Sequence, residues 1–91
     1  MSWKVVLSGK AAKMYQALPD VLKDIAGFLF LEIEAQGPVR GNWKNYGKLG
    51  ENLHHCHLKS GRPTFVACWR VNKKEKIVEV YYVGTHEKAP Y

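Results

Sequence analysis

Between Leu53 and Thr64 the chain holds three of its four histidines, one of its two cysteines and two cations, Lys59 and Arg62. An imidazole titrates near neutrality, so it can accept or deliver a proton there. Cleavage of RNA through the ribose 2′-hydroxyl needs one group to take the hydroxyl proton and another to protonate the leaving 5′-oxygen. Charge developing on phosphorus needs cations, which Lys59 and Arg62 can supply. Two other readings compete. A metal site built from His55, His57 and a third ligand such as His86 lacks zinc-finger spacing and a second Cys/His pair. A purely structural role is the third, and it is the preferred one for His54.

Period-two alternation decides which of these residues share a face. On a strand over 53–59, Leu53, His55 and His57 point one way and His54, Cys56 and Leu58 the other. Side chains two apart on a strand lie about 7 Å from one another, so His55 and His57 can address one ligand. Cys56 and Leu58 belong to the core side, with His54 half exposed at the strand's start. Cys68 falls at a matching depth on the next strand, where it could face Cys56; both are expected as buried, reduced thiols. His86 arrives only after the last strand, in Gly84-Thr85-His86-Glu87-Lys88-Ala89-Pro90-Tyr91. If this tail folds beside the 53–59 strand, imidazole, phenol and basic groups converge.

The remaining elements must carry that arrangement. Trp3, Val5 and Leu7 alternate with Lys4, Val6 and Ser8, a short first strand, and Ser8 can cap the helix after it. Ala11, Met14, Tyr15 and Leu18 mark one face of that two-turn helix, and Pro19 either stops it or opens the next. A longer helix over Asp20–Gln36 buries Leu22, Ile25, Ala26, Leu29 and Ile33, with Phe28 and Phe30 widening the stripe. Gly37-Pro38 ends it. Strands over 53–59, 64–72 and 76–83 come next, joined by Ser60-Gly61-Arg62-Pro63 and Asn72-Lys73-Lys74-Glu75, links short enough for antiparallel hairpins. The order β-α-α-β-β-β predicts a small α+β fold, an antiparallel-rich twisted sheet with both helices on one face. A single domain over 1–91 accommodates it.

Charge is divided unevenly. Residues 1–36 carry Lys4, Lys10, Lys13 and Lys23 against Asp20, Asp24, Glu32 and Glu34, whereas residues 37–91 supply the whole net charge of +6. A basic half suggests a polyanion, nucleic acid before membrane. In the glycine-rich connector 38–52, Arg40, Lys44 and Lys48 interleave with Trp43 and Tyr46, cations for phosphates and rings for stacked bases. The competing reading is a loop pinned to the core by Trp43. The first residues carry no long apolar run and no stretch reaches the length of a membrane span, so a cytoplasmic protein is expected.

The two-helices-then-strands layout, Lys48-Leu49 before a strand, the His55-Cys56-His57-Leu58-Lys59-Ser60-Gly61 hairpin and Val83-Gly84-Thr85-His86-Glu87-Lys88 resemble the RelE/ParE superfamily of bacterial toxins. The resemblance covers nearly the whole chain in element order. It implies the toxin of a type II toxin–antitoxin system, with a cognate, acidic antitoxin as partner. In the RelE branch it further implies ribosome-dependent mRNA cleavage through the 2′-hydroxyl, without metal or cofactor, so ribosome and mRNA become partners. RelE carries two lysines where His55 and His57 stand, which keeps proton transfer and loses permanent charge. Its arginine before the third strand is Thr64 here, with Arg62 the nearest replacement and Lys59 behind it. Where RelE has another arginine this chain has His86; the related YoeB has histidine there and a C-terminal tyrosine. The resemblance therefore implies His86 as general acid, His55, His57 and Arg62 beside it, and Tyr91 stacking on a base or orienting substrate. Arg40, Lys44, Lys48, Lys59, Trp43 and Tyr46 are the expected RNA contacts. A ParE-like gyrase inhibitor and a non-catalytic RNA-binding module are the alternatives.

Overall fold

Ser8 caps the first helix as its position predicts, its hydroxyl oxygen accepting from the Ala11 amide at 3.1 Å. The computed structural model describes residues 2–91. Along the chain run β1 (Lys4–Leu7), α1 (Gly9–Gln16), α2 (Asp20–Gln36), β2 (Gly47–Gly50), β3 (Leu53–Lys59), β4 (Phe65–Asn72), β5 (Ile77–Thr85) and a 3-10 turn over His86–Lys88. The expected order holds with one addition, since the connector contributes the short strand β2. Glycine-rich sequence hides that strand, because its pairing comes from β3 rather than from its own propensity.

The five strands lie in the order β1-β5-β4-β3-β2. β1 runs parallel to β5, and every other neighbouring pair is antiparallel. The helices cover one face. Leu22, Ala26, Leu29 and Ile33 of α2 meet Cys56, Ala67, Trp69, Val78, Val80 and Val83 of the sheet in a single core. Burying each of the larger aliphatic side chains contributes about 1.5–3 kcal/mol. Gly37 ends α2 at φ 102°, a backbone that side-chain-bearing residues rarely adopt.

Two expectations about the core are corrected. Phe28 does not widen the buried stripe: it is 63% exposed, turned away from the Leu22–Ile33 line, and its ring lies 6.3 Å from that of Trp43. Phe30 does pack inward, beside Tyr15. The cysteines do not face one another. Cys68 pairs with His55, and Cys56 with Ala67, so Cys56 belongs to the helix-side core and Cys68 to a smaller cluster on the opposite face. Both thiols are free, and burial pushes each up to about 12. Neither is a nucleophile at neutral pH.

The smaller cluster lies on the open face of the sheet. It contains Val66, Cys68 and Tyr82, with Met14, Leu49, Tyr81 and Ala89 packed against it. A register shift places Cys68 opposite Tyr82 but Trp69 opposite Val80, leaving Tyr81 as an extra residue. This bulge reverses the alternation of β5. Val78 and Val80 face the helices before it, Val83 does so after it, and Tyr82 turns to the open face. Among the described residues no helix is long and apolar enough to cross a membrane.

Candidate active site

β3 sorts its histidines by face as alternation predicts: His54, Cys56 and Leu58 are buried, while Leu53, His55 and His57 are half-buried on the open side. The half-exposed position expected of His54 is corrected, because Tyr46 and Trp69 cover its ring. His54 is structural. Its Nδ1 lies 2.7 Å from the Tyr46 hydroxyl, and its ring stacks on Trp69, with centroids 5.9 Å apart and planes 3° from parallel. Burial, with Lys48 and Lys73 adding to it, lowers its pKa to about 4. The ring is therefore neutral at pH 7.

On the open side the tail folds back onto β3. The His86 amide donates to the Thr64 carbonyl at 2.8 Å, and the Tyr82 hydroxyl donates to the Thr85 carbonyl at 2.6 Å. Ala89 seats on the small cluster. These ties bring the His86 ring 5.5 Å from that of His57, nearly edge-on. Tyr91 closes the group, its ring 4.7 Å from His55 and 5.7 Å from His86. Gly47 of β2 pairs with His55, and a Cβ there would lie 3.1 Å from His55 Nε2. Glycine makes room for the ring. His55 Nδ1 is buried and has no hydrogen-bond partner among the described residues.

The electrostatics favour neutral imidazoles on β3. Burial lowers the His57 pKa, and the charges of His86 and Lys44 lower it further. His55 is lowered by burial, then by His57 and His86. Tyr91 is raised, by burial first, and stays a phenol at neutral pH. Beside the rings, Gly61, Arg62, Pro63, Thr64, His86 and Glu87 line a cleft of about 570 Å³. Arg62 and His86 thus share one concavity, with Lys59 exposed where β3 ends. Among the described residues, no three His, Cys, Asp or Glu side chains are gathered so as to hold a metal ion.

No protein-family model and no curated protein matches the sequence. Solved structures do. A free-state mutant of the E. coli toxin RelE superposes with a TM-score of 0.75 at 17% identity, covering 98% of this chain and 88% of that one. The archaeal RelE–RelB complex from Pyrococcus horikoshii OT3 gives a TM-score of 0.71 at 16% identity, covering 98% and 100%. The intact E. coli RelBE toxin–antitoxin complex gives 0.72 at 14% identity, covering 96% and 100%.

The fold is that of the RelE toxins.

Upon this RelE fold the expected site residues divide. His55, His57, His86 and Tyr91 come together, and Arg62 opens onto the same cleft as His86. The connector divides differently. Arg40, an expected RNA contact, is buried: its Nη1 donates to Glu32 Oε1 at 2.7 Å. Trp43 Nε1 donates to the same oxygen at 2.8 Å, and the Tyr46 hydroxyl is engaged by His54. A carboxylate and an imidazole already hold these three side chains, so the loop-pinning reading of Trp43 applies and extends to Arg40 and Tyr46. Lys44, Lys48 and Lys59 stay exposed. The Lys44 carbonyl accepts from the His57 amide at 2.8 Å, which brings this lysine to the histidines.

Three residues at the site or behind it escape sequence reasoning. Glu87 lines the cleft and Gly47 backs His55. The third, Glu32, anchors the connector from α2 and looks in the sequence like an ordinary helix-surface carboxylate. Gly47 alone had a signal, the density of glycines around it.

Proposed function

We propose that the chain is the toxin of a type II toxin–antitoxin system and an endoribonuclease that cuts mRNA on the ribosome. The observation that carries this reading is the meeting of His57 on β3 with His86 and Tyr91 of the tail beyond β5, next to the cleft that holds Arg62. His57, neutral at pH 7, takes the proton of the 2′-hydroxyl. The oxygen attacks the adjacent phosphorus, and the bond to the 5′-oxygen breaks. His86 delivers a proton to that leaving oxygen. Arg62 and Lys59 offset the charge on the phosphorane oxygens. The products are a 2′,3′-cyclic phosphate and a 5′-hydroxyl, so no water is consumed in the step.

Tyr91 presents a half-exposed ring on which a base can stack. Lys44 and Lys48 supply phosphate contacts. The protein acts in the cytoplasm, and an acidic antitoxin covers the basic surface. RelE-fold neighbours solved with RelB support that partner.

Expression in cells with mapping of mRNA 5′ ends tests the reading. Cuts at fixed codon positions are expected. Double-strand DNA breaks without mRNA cuts would replace it with a gyrase inhibitor, and RNA binding without any cleavage would replace it with a non-catalytic module.

A further inference from the structure

Glu32 sits on α2, across the sheet from the histidines, yet the connector converges on it. Its Oε1 accepts from Arg40 Nη1 at 2.7 Å, from Asn42 Nδ2 at 2.8 Å and from Trp43 Nε1 at 2.8 Å. The Arg40 and Glu32 side chains are only 11% and 14% exposed, so the pair is largely withdrawn from solvent screening. The Trp43 amide donates to the Arg40 carbonyl at 2.9 Å, and the Tyr46 amide to the Trp43 carbonyl at 3.2 Å. Successive turns are thereby folded around one carboxylate oxygen. Lys44 follows Trp43 directly and is bonded through its carbonyl to the His57 amide. Asn45, at φ 54°, then turns the chain into β2.

We propose that Glu32 is a positioning residue for the histidine site: it anchors the turn over 40–43, and that turn sets Lys44 beside His57. The placement of Lys44 stands on geometry alone, and its effect on cleavage rests on the nuclease reading.

The consequence is a defined charge next to the base. The charged groups that act on His57 are His86 from the tail and Lys44 from the turn, with His55 on its own strand. Tyr91, Glu87 and Arg62 lie around His86, and Lys59 is exposed at the end of β3. The facing residue on β4, Val66, is apolar. Of these, Lys44 is the one whose backbone is carried by the Glu32-anchored turn. Lys44 is also among the charges that hold His57 below its ordinary pKa. A loosened turn takes this cation away, and the imidazole becomes easier to protonate. A substrate phosphate near the 2′-hydroxyl would lose the same cation.

The test follows the His57 imidazole by NMR titration in the full chain, alongside cleavage of a reporter mRNA on programmed ribosomes. Glu32→Ala and Lys44→Ala should each raise the His57 pKa by about half a unit. The double variant should move it no further than either alone, because both remove one interaction. Glu32→Gln keeps an acceptor oxygen without the charge, so a smaller rise is expected, and this variant decides the matter if Glu32→Ala fails to fold. Glu34→Ala, an exposed carboxylate on the same helix, should leave the titration unchanged. In cleavage, the Glu32 and Lys44 variants should lose about 3–10-fold in kcat/KM, with the acid limb of the pH profile displaced upward alike in both.

A His57 titration unaltered in the folded Glu32 variants while Lys44→Ala moves it would overturn the proposal, as would one unaltered in Lys44→Ala. If the titrations move as stated but the wild-type protein cuts no mRNA, the nuclease reading fails and the positioning role stands.

Discussion

His54 and His55 are adjacent in the chain and opposite in circumstance. On the helix side, His54 is bonded to Tyr46, stacked on Trp69 and held neutral by burial. On the open side, His55 leaves Nδ1 without a partner among the described residues and lies under Tyr91, with His57 and His86 nearby. The same contrast separates the cations. Arg40 is paired with a carboxylate behind the sheet, whereas Arg62 opens onto a cleft. Surroundings distinguish the two faces better than residue type does: His54 and Arg40 are hydrogen-bonded into the fold, although Arg40 Nε, like His55 Nδ1, has no partner among the described residues. A side chain engaged by its own fold stabilises it, and one that faces solvent is open to a substrate.

Substitutions on either face put that contrast at risk. The largest effect is expected from His86→Ala, which should slow cleavage about 10²-fold or more and relieve growth arrest, since general acid catalysis contributes on that scale. Circular dichroism should show the protein still folded. Full toxicity of this variant would remove His86 from the acid role. His54→Ala should do the reverse. It leaves the Tyr46 hydroxyl unpaired and a cavity beside Trp69, costing roughly 2–4 kcal/mol of stability in denaturant titrations. The folded fraction should cut mRNA at the wild-type rate.

Arg62→Ala should weaken cleavage about tenfold, whereas Lys73→Ala, in the distal β4–β5 turn, should change it less than about twofold. Equal losses would mean that only overall charge matters.

The pH dependence separates the two faces most finely. His54 has a folded pKa of about 4, below the unfolded value near 6.5. The unfolded chain therefore binds the proton first. The stability contributed by the neutral ring is complete above about pH 6.5 and is lost as pH falls towards 4, by up to about 3 kcal/mol. His54→Ala should flatten that limb of the stability curve. Activity should respond to a different group, its acid limb falling below about pH 6.5 because the His57 pKa is lowered. Limbs that coincide, in stability and in rate, would show that acid acts on both through unfolding.

Much of the fold was legible in single residues. Ser8 as a cap, Pro19 and Gly37 as limits of α2, and the Leu22–Ile33 stripe come from local chemistry that short segments carry with them. So does the split of β3, because side-chain direction alternates with the backbone whatever the partner strand. Phe28 shows the limit: its apolarity suits a core, but its angular position on α2 leaves it outside one. Tyr82 shows another, since a bulge at Tyr81 reverses its face and no local pattern announces the extra residue. Cys56 and Cys68 were separated by register, which depends on how two strands align rather than on what either contains.

The order of amino acids was enough to specify the two helices, the principal strands and the faces of His54, His55 and His57, and to suggest proton transfer near positive charge. Which groups meet was a matter for the assembled fold. His86 and Tyr91 reach β3 because Tyr82, Thr64 and Ala89 hold the tail against the sheet. Arg40, Trp43 and Tyr46 turn inward because Glu32 and His54 wait on other elements. Direction along a strand or helix is a property of short spans of chain, whereas the choice of partner is a competition among groups far apart in it.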